Sequence, residues 1–365
     1  MSSRSERFVF TLAEPSDSKE LLEILEEDDF AGQISLLYTR RPDAYRSLQM
    51  EGETVLIVVC QDKKNARIAG FGACAVRELY VNGEPEKVGY LFGLRARKEY
   101  RKVFPLLAKG YDYLRYILAE KGVTLCLTSI LTDNRYAQRL LEKDRPFMPA
   151  YTPYSSYNVY ILKTNRQTRR KTIQAEVRDV PRLLDFLNEY GRRHQFYPVL
   201  READLLAGKH SGLSLGDFYI LPDNRGHILA AGAVWDQQAY KQYVIQGYSG
   251  CFRFLYPLSR LLPRFGYTAL PEPGTVLNFF ALSFWAVRDD NPDYFRTFVR
   301  EIAGATGRYS FFVLGLPEQN DLTRALRGSP HLSYKSRIYL VNWDRAKAAA
   351  NEPDGRPPYL ECGTL

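Results

Sequence analysis

A chain of 365 residues is too long for one ordinary hydrophobic core and fits two domains of roughly 150 to 180 residues each. With 45% hydrophobic and 25% charged residues, the profile is that of a globular protein and excludes an intrinsically disordered one. The longest apolar run, Val55 to Cys60, falls far short of a membrane span, so no membrane association is expected.

The net charge of +8 permits a polyanionic partner without requiring one. Met1 to Glu6 is polar with no apolar segment of signal-peptide length behind it, which predicts a cytoplasmic address. The five cysteines are odd in number and widely spaced, and three sit in apolar strand-like runs, as small buried side chains in a reducing compartment would. His194, His210, His227 and His331 show no metal-ligand spacing, so no metal is expected.

In chain order, Arg7 to Leu12 reads as a strand, and Asp17 with Glu20 three residues on starts a helix reaching about Asp28. A second helix is expected within Ile34 to Met50. Glu53 to Gln61 and Arg67 to Tyr80 read as strands joined by a polar turn, and Asn82-Gly83 is a turn dipeptide leading into the apolar run Val88 to Leu94. A basic loop follows, with Arg95, Arg97, Lys98, Arg101 and Lys102. Pro105 opens a helix whose apolar positions Leu107, Tyr111, Leu114 and Leu118 recur at helical spacing until Lys121 and Gly122 stop it. Val123 to Thr128 is a short buried strand, Asn134 heads another helix, and Pro146 to Lys163 holds two more strand-like runs.

Thr164 to Lys171, rich in Arg, reads as a solvated linker in preference to a nucleic-acid contact. Beyond it the plan starts again: a strand at Thr172 to Val177, a helix over Val180 to Tyr190, strands at Asp217 to Leu221 and Ile228 to Trp235, a long apolar strand at Val276 to Val287, a helix opened by Pro292, and a short strand at Tyr309 to Leu314. The spacing from Phe312 to Asn320 equals that from Cys126 to Asn134, as expected of a repeated supersecondary plan. An aromatic insertion at residues 238–273 contains a helix-like run, Phe254 to Leu262. Its Phe252, Phe254, Tyr256, Phe265 and Tyr267 suit a ligand cleft or plain packing. Asp344 to Leu365, with Pro353, Gly355, Pro357 and Pro358, reads as a loosely ordered tail.

The block from Val88 to Phe147 resembles the acyl-CoA-binding core of the GNAT superfamily of N-acyltransferases. Asn134-Arg-Tyr-Ala137-Gln-Arg-Leu140, with Phe147 close behind, is similar to the more specific half of the family pattern. The front half departs from it: where the family places small residues after a basic one, Arg101 is followed by Phe104 and Leu106, and Pro105 removes a backbone donor. The resemblance implies an α+β fold of two GNAT-like domains, residues 1–163 and 172–343, each a mixed, mostly antiparallel central sheet flanked by helices. It further implies acetyl-CoA or another acyl-CoA as substrate. Phe92, Leu94, Arg95, Ala96, Arg101, Lys102, Val103, Phe104, Leu106 and Asn134 would line its site, and Gly93 would permit a bulge that frees backbone donors. Leu141 stands where the family carries its tyrosine acid; Tyr151 and Tyr154 lie downstream as candidates to reach the same place, and Tyr151 is taken as the catalytic residue. The acidic second-half loop, Arg288 to Pro292, would repel a pyrophosphate.

Two readings follow from these residues. One is an acyl-CoA-dependent N-acyltransferase acting on a small-molecule or peptide amine. The other is a non-catalytic relative in which Phe104, Leu106 and Leu141 have replaced functional positions. No nucleic-acid motif appears, so a nucleic-acid partner is not expected.

Overall fold

The computed structural model describes residues 7–29, 32–101, 103–145, 147–165, 171–206, 212–260, 269–343 and 352–365. The first half contributes strands β1 (Phe8–Leu12), β2 (Ile34–Thr39), β3 (Thr54–Asp62), β4 (Arg67–Val81), β5 (Glu84–Ala96), β6 (Leu125–Leu131) and β7 (Ala150–Lys163). Its helices are α1 (Ser18–Leu25), α2 (Ala44–Gln49), α3 (Phe104–Glu120) and α4 (Arg135–Leu141). The second half contributes β8 (Ile173–Gln174), β9 (Phe218–Pro222), β10 (Ile228–Trp235), β11 (Gln242–Tyr248), β12 (Phe279–Val287), β13 (Phe311–Pro317) and β14 (His331–Asn342). Its helices are α5 (Val180–Arg192), α6 (Glu202–Leu206), α7 (Gly250–Ser259) and α8 (Pro292–Ala305).

The repeat expected from sequence is present down to single hydrogen bonds. Glu14 and Asp17 form a reciprocal capping box before α1, and Glu176 and Asp179 form the same one before α5. Arg97 Nε donates to the Ile68 carbonyl at 3.0 Å, as Arg288 Nε does to the Ile228 carbonyl at 2.8 Å. Asn134 and Asn320 each cap the short helix that follows their strand.

The two halves share one 12-stranded sheet, in the order β1-β3-β4-β5-β6-β14-β7-β13-β12-β10-β9-β8. The pairs β5–β6 and β12–β13 are parallel and the others antiparallel. The last strand of each half has crossed over. β14 lies on β6, and β7 lies on β13, with β14 and β7 paired to each other over their full length. Pro146 to Lys163 therefore supplies one long strand instead of two short runs, because its outer edge is covered by a strand from the far end of the chain.

Three sequence expectations are corrected. Ile34–Thr39 is a strand, not part of a helix: it pairs with β11 in a separate two-stranded ribbon that spans the two halves, and only Ala44–Gln49 is helical. Residues 352–365 are not a loose tail. Tyr359, Leu360 and Cys362 are buried, and the Tyr359 amide and the Pro357 carbonyl pair with the backbone of Gln195 at 2.7 and 2.9 Å. In the insertion, Phe254 on α7 is not packed but 75% exposed to solvent, while Tyr256 stacks on Tyr248 with ring centroids 4.9 Å apart; Phe265 and Tyr267 lie outside the described residues. No described helix is long and apolar enough to cross a membrane.

Exchange of β7 and β14 makes each half's sheet depend on the other. Cleaving the chain between Asn165 and Lys171 at an inserted protease site is expected to leave a single species near the intact 42.0 kDa on gel filtration. Two separately eluting folded fragments would contradict the exchange.

Candidate active site

The site begins where β5 and β6 part. They are paired at Val88–Leu125, Gly89–Cys126 and Tyr90–Leu127, after which β5 runs on to Ala96 and β6 to Leu131 without sharing a ladder. Gly89 lets the zipped end close, since a Cβ there would sit 2.7 Å from the Cys126 sulfur and 2.9 Å from that of Cys74. At the fork, side chains replace ladder bonds. Thr128 Oγ1 donates to the Leu91 carbonyl at 2.8 Å, and the Tyr90 and Ser129 hydroxyls lie 2.9 Å apart.

Beyond the fork β5 bulges. Phe71 faces Arg95 and Ala73 faces Phe92, so one extra residue is held on β5, and Gly93 there takes φ +66°. The bulge takes backbone groups of β5 out of its ladder with β4. Just past it, the basic loop is tied down by acidic residues in and just after α1. Buried Arg97 reaches Glu20 at 3.2 Å, Glu23 at 3.0 Å and Glu27 at 3.6 Å. Arg101 pairs with Asp28 and lies 3.5 Å from Glu27, and Lys98 lies 3.7 Å from Asp28. Among the described residues no carboxylate pairs with Arg95, whose guanidinium folds onto the Leu94 carbonyl at 3.1 Å. The cluster's charge is thus largely spent within the protein, a feature that counting basic residues along the loop could not reveal.

An aromatic row joins the β2–β11 ribbon to the sheet. Tyr38 packs on Tyr243 with ring centroids 5.2 Å apart, Tyr243 on Phe279 at 5.9 Å, and Phe279 stacks on Phe311 at 5.2 Å. Tyr334 keeps 43% of its surface accessible.

Beside this aromatic row, buried Glu51 gathers three cations. Arg40 is hydrogen-bonded to it, Lys241 Nζ is 3.6 Å away and Arg77 is 3.8 Å away. Lys241 also donates to the carbonyls of Gly363 at 3.2 Å and Leu365 at 2.9 Å, and Arg77 to Thr364 Oγ1 at 2.7 Å. Burial raises the Glu51 pKa, but the field of Lys241, Arg40 and Arg77 outweighs it and brings the carboxyl to about 2. Sequence reasoning missed this cluster because its members come from the residue after β2, the α2–β3 turn, β4 and the residue before β11, with no spacing to connect them.

The predicted residues fall into three sets. Phe92, Leu94, Arg95 and Ala96 lie on β5 beyond the fork, with Arg101 and Val103 in the loop and Leu106 in the first turn of α3, where its amide donates to the Val103 carbonyl at 3.0 Å. Asn134 caps α4, accepting from the Ala137 amide at 3.1 Å. Lys102 and the side chain of Phe104 lie outside the described residues. Tyr151 is set apart: it is level with Val341 and Cys126 at the zipped end, and its hydroxyl is bonded to that of Tyr111 beneath α3. A cleft of about 350 Å³ beside Tyr151, lined by Glu142, Lys143 and Asn342, also lies at that end.

These features define a tandem GNAT fold: a forked parallel strand pair, a bulge past the fork, a helix behind it, and a second copy of the same plan. The backbone superposes on that of Saccharomyces cerevisiae N-myristoyltransferase with bound myristoyl-CoA at a TM-score of 0.59, covering 92% of this chain and 83% of that one at 11% identity. It matches a GCN5-related N-acetyltransferase from Anabaena variabilis at a TM-score of 0.53, covering 94% and 74% at 13% identity. The sequence matches no protein-family model and no curated protein.

Glu51 yields a pH prediction. Its folded pKa lies below the ordinary 4.5, so the stability it contributes is present above that value and is lost as pH falls toward about 2. Glu51→Gln is expected to cost about 3 kcal/mol at neutral pH and to flatten the acid limb of a urea-denaturation series. An unchanged acid limb would contradict the cluster.

Proposed function

We propose that the protein is an acyl-CoA-dependent N-acyltransferase that uses the first-half fork as its acyl-CoA site and a groove along the aromatic row of Tyr38, Tyr243 and Phe279 as its acceptor site. The observation that carries this reading is the parting of β5 and β6 beyond Tyr90 and Leu127, with the Gly93 bulge on β5 just past the fork. The superposition on N-myristoyltransferase and the Anabaena acetyltransferase supports an acyl-CoA ligand of either short or long chain.

In this reading the thioester lies between Phe92–Leu94 and Thr128–Ser129. Backbone N–H groups of the bulge polarise its carbonyl, which suits catalysis because such donors are fixed before charge develops. The pantetheine arm runs past Leu94 and Arg95 toward the first turn of α3. There Arg101 and Val103 shape the loop, and Arg95 is the cation placed to turn toward a phosphate. The amine enters from the groove and attacks the carbonyl carbon; the C–S bond breaks, the thiolate leaves along the fork, and the proton lost by the nitrogen passes to that sulfur, so that an amide and a free thiol are released. We place the Tyr90–Ser129 hydroxyl pair beside that sulfur, in preference to Tyr151, whose hydroxyl is engaged under α3. Burial raises the Tyr90 pKa to about 12, so its phenol stays protonated and able to donate a hydrogen bond. Tyr38, Tyr243 and Phe279 favour an acceptor that carries apolar or aromatic surface beside its amine.

The non-catalytic reading rests on Arg101, Arg97 and Lys98 being neutralised by carboxylates around α1. The two are separated by acetyl-CoA and palmitoyl-CoA titration followed by release of free thiol over an amine panel. Gly93→Val forces a branched side chain into φ +66°, and is expected to weaken acyl-CoA binding by about tenfold or more while the protein stays folded. Equal affinity would remove the bulge from the site. Tyr90→Phe is expected to keep acyl-CoA affinity and to slow thiol release by about 10- to 100-fold; unchanged release would remove the hydroxyl pair from the mechanism.

A further inference from the structure

The second half carries the same fork, and its register shows what fills it. β12 pairs with β13 only at Phe279–Phe311, Phe280–Phe312 and Ala281–Val313. The next stretch of β12 bulges, with Ser283 facing Ala233 and Ala286 facing Ala231. Counting from the last parallel pair, Phe284 occupies the position of Gly93, and it too has positive φ, at +50°. Both backbone groups of Phe284 are taken up by side chains from elsewhere: its N–H donates to Glu361 Oε2 at 2.7 Å, and its carbonyl accepts from the Tyr197 hydroxyl at 2.9 Å.

Glu361 belongs to a segment that enters this fork as a ligand would. Tyr359 donates its hydroxyl to Glu361 Oε2 at 2.9 Å, and the Gly363 amide donates to Oε1 at 2.9 Å. The Leu360 carbonyl accepts from the Tyr157 hydroxyl. Gly363 is the residue the space requires, since a Cβ there would meet Trp235 at 2.6 Å and Ser283 Oγ at 2.8 Å. The usual phosphate end is shut as well: Asn291 caps α8 by accepting from the Asp293 and Tyr294 amides, and Asp289 and Asp290 line the loop.

We infer that the second fork is a binding site permanently occupied by the chain's own residues 359–363, with the Glu361 carboxylate on the bulge amide that, in the first fork, is left for the carbonyl of an acyl group. The protein accordingly takes up one acyl-CoA per chain, and the seated segment fixes Cys362 to Leu365 against Lys241 and Arg77 beside the aromatic row. The comparison with the first fork rests on the acyltransferase reading, whereas occupancy of the second fork does not.

Amide hydrogen exchange on the full-length protein, with coenzyme A and palmitoyl-CoA as probes, tests both parts. Glu361→Ala is expected to speed exchange at Phe284 and Gly363 by roughly 10- to 100-fold. Glu361→Gln keeps an acceptor for Phe284 but can turn its amide NH₂ toward Gly363; it is expected to speed Gly363 while leaving Phe284 protected. Native mass spectrometry is expected to show a single equivalent of either probe on the wild type. Phe284 exchanging in Glu361→Ala as it does in the wild type, or two bound equivalents, would overturn the inference. If Glu361→Ala fails to fold, unchanged Gly363 exchange in Glu361→Gln overturns it. No bound equivalent would count against the acyltransferase reading and leave the exchange data to decide the occupancy.

Discussion

A parallel strand pair that stops sharing hydrogen bonds leaves backbone donors and acceptors to be satisfied by something else, and the molecule is organised around two such places. At each, the strand carrying the bulge is held on its other side by a long antiparallel neighbour, so the fork cannot close by sliding. In the first fork Thr128 and the Tyr90–Ser129 pair bridge the crotch, and in the function proposed here the rest is left to a ligand. In the second, Glu361 and Tyr197 take the bulge residue's amide and carbonyl. On that proposal one construction gives a site in one half and a joint in the other.

The halves pay for this difference in opposite ways. Gly93 adopts positive φ without strain, as suits a position a substrate must approach closely. Phe284 does so at a cost of about 1–2 kcal/mol, which its buried ring and two anchored backbone groups offset. Exchange of β7 and β14 and the β2–β11 ribbon then lock the halves together, and Glu51, with Arg40, Arg77 and Lys241, anchors the ribbon to the sheet beside the aromatic row. Breaking such a cluster by removing one partner is costly because the remaining charges stay buried, so that anchor is held rigidly.

Much of the fold was readable from local signals. Apolar runs too short for helices marked β5, β6 and β13, Pro105 and Pro292 marked the starts of α3 and α8, and the equal spacing to Asn134 and Asn320 marked the repeat. The sheet register also aligns Gly232 with Gly72 across the repeat. Long-range pairing was not readable. Nothing local says that Ile34–Thr39 pairs with residues two hundred positions on, or that β14 inserts between β6 and β7. The proline-rich composition of the last residues pointed to disorder, whereas backbone pairing to Gln195 and the seat of Glu361 order the segment around Tyr359. At the site, the glycine at the bulge was legible because its backbone needs it; the neutralisation of the basic loop by carboxylates around α1 was not, since it depends on α1 packing against the loop.

The most direct test of the first fork as the acyl-CoA site is a backbone amide NMR titration of the full-length protein with coenzyme A. Shifts should concentrate at Phe92 to Ala96, at Thr128 to Leu131 and in the first turn of α3, with Ser283 to Arg288 unmoved. Shifts centred on Ser283 to Arg288, or none at saturating coenzyme A, would contradict the account.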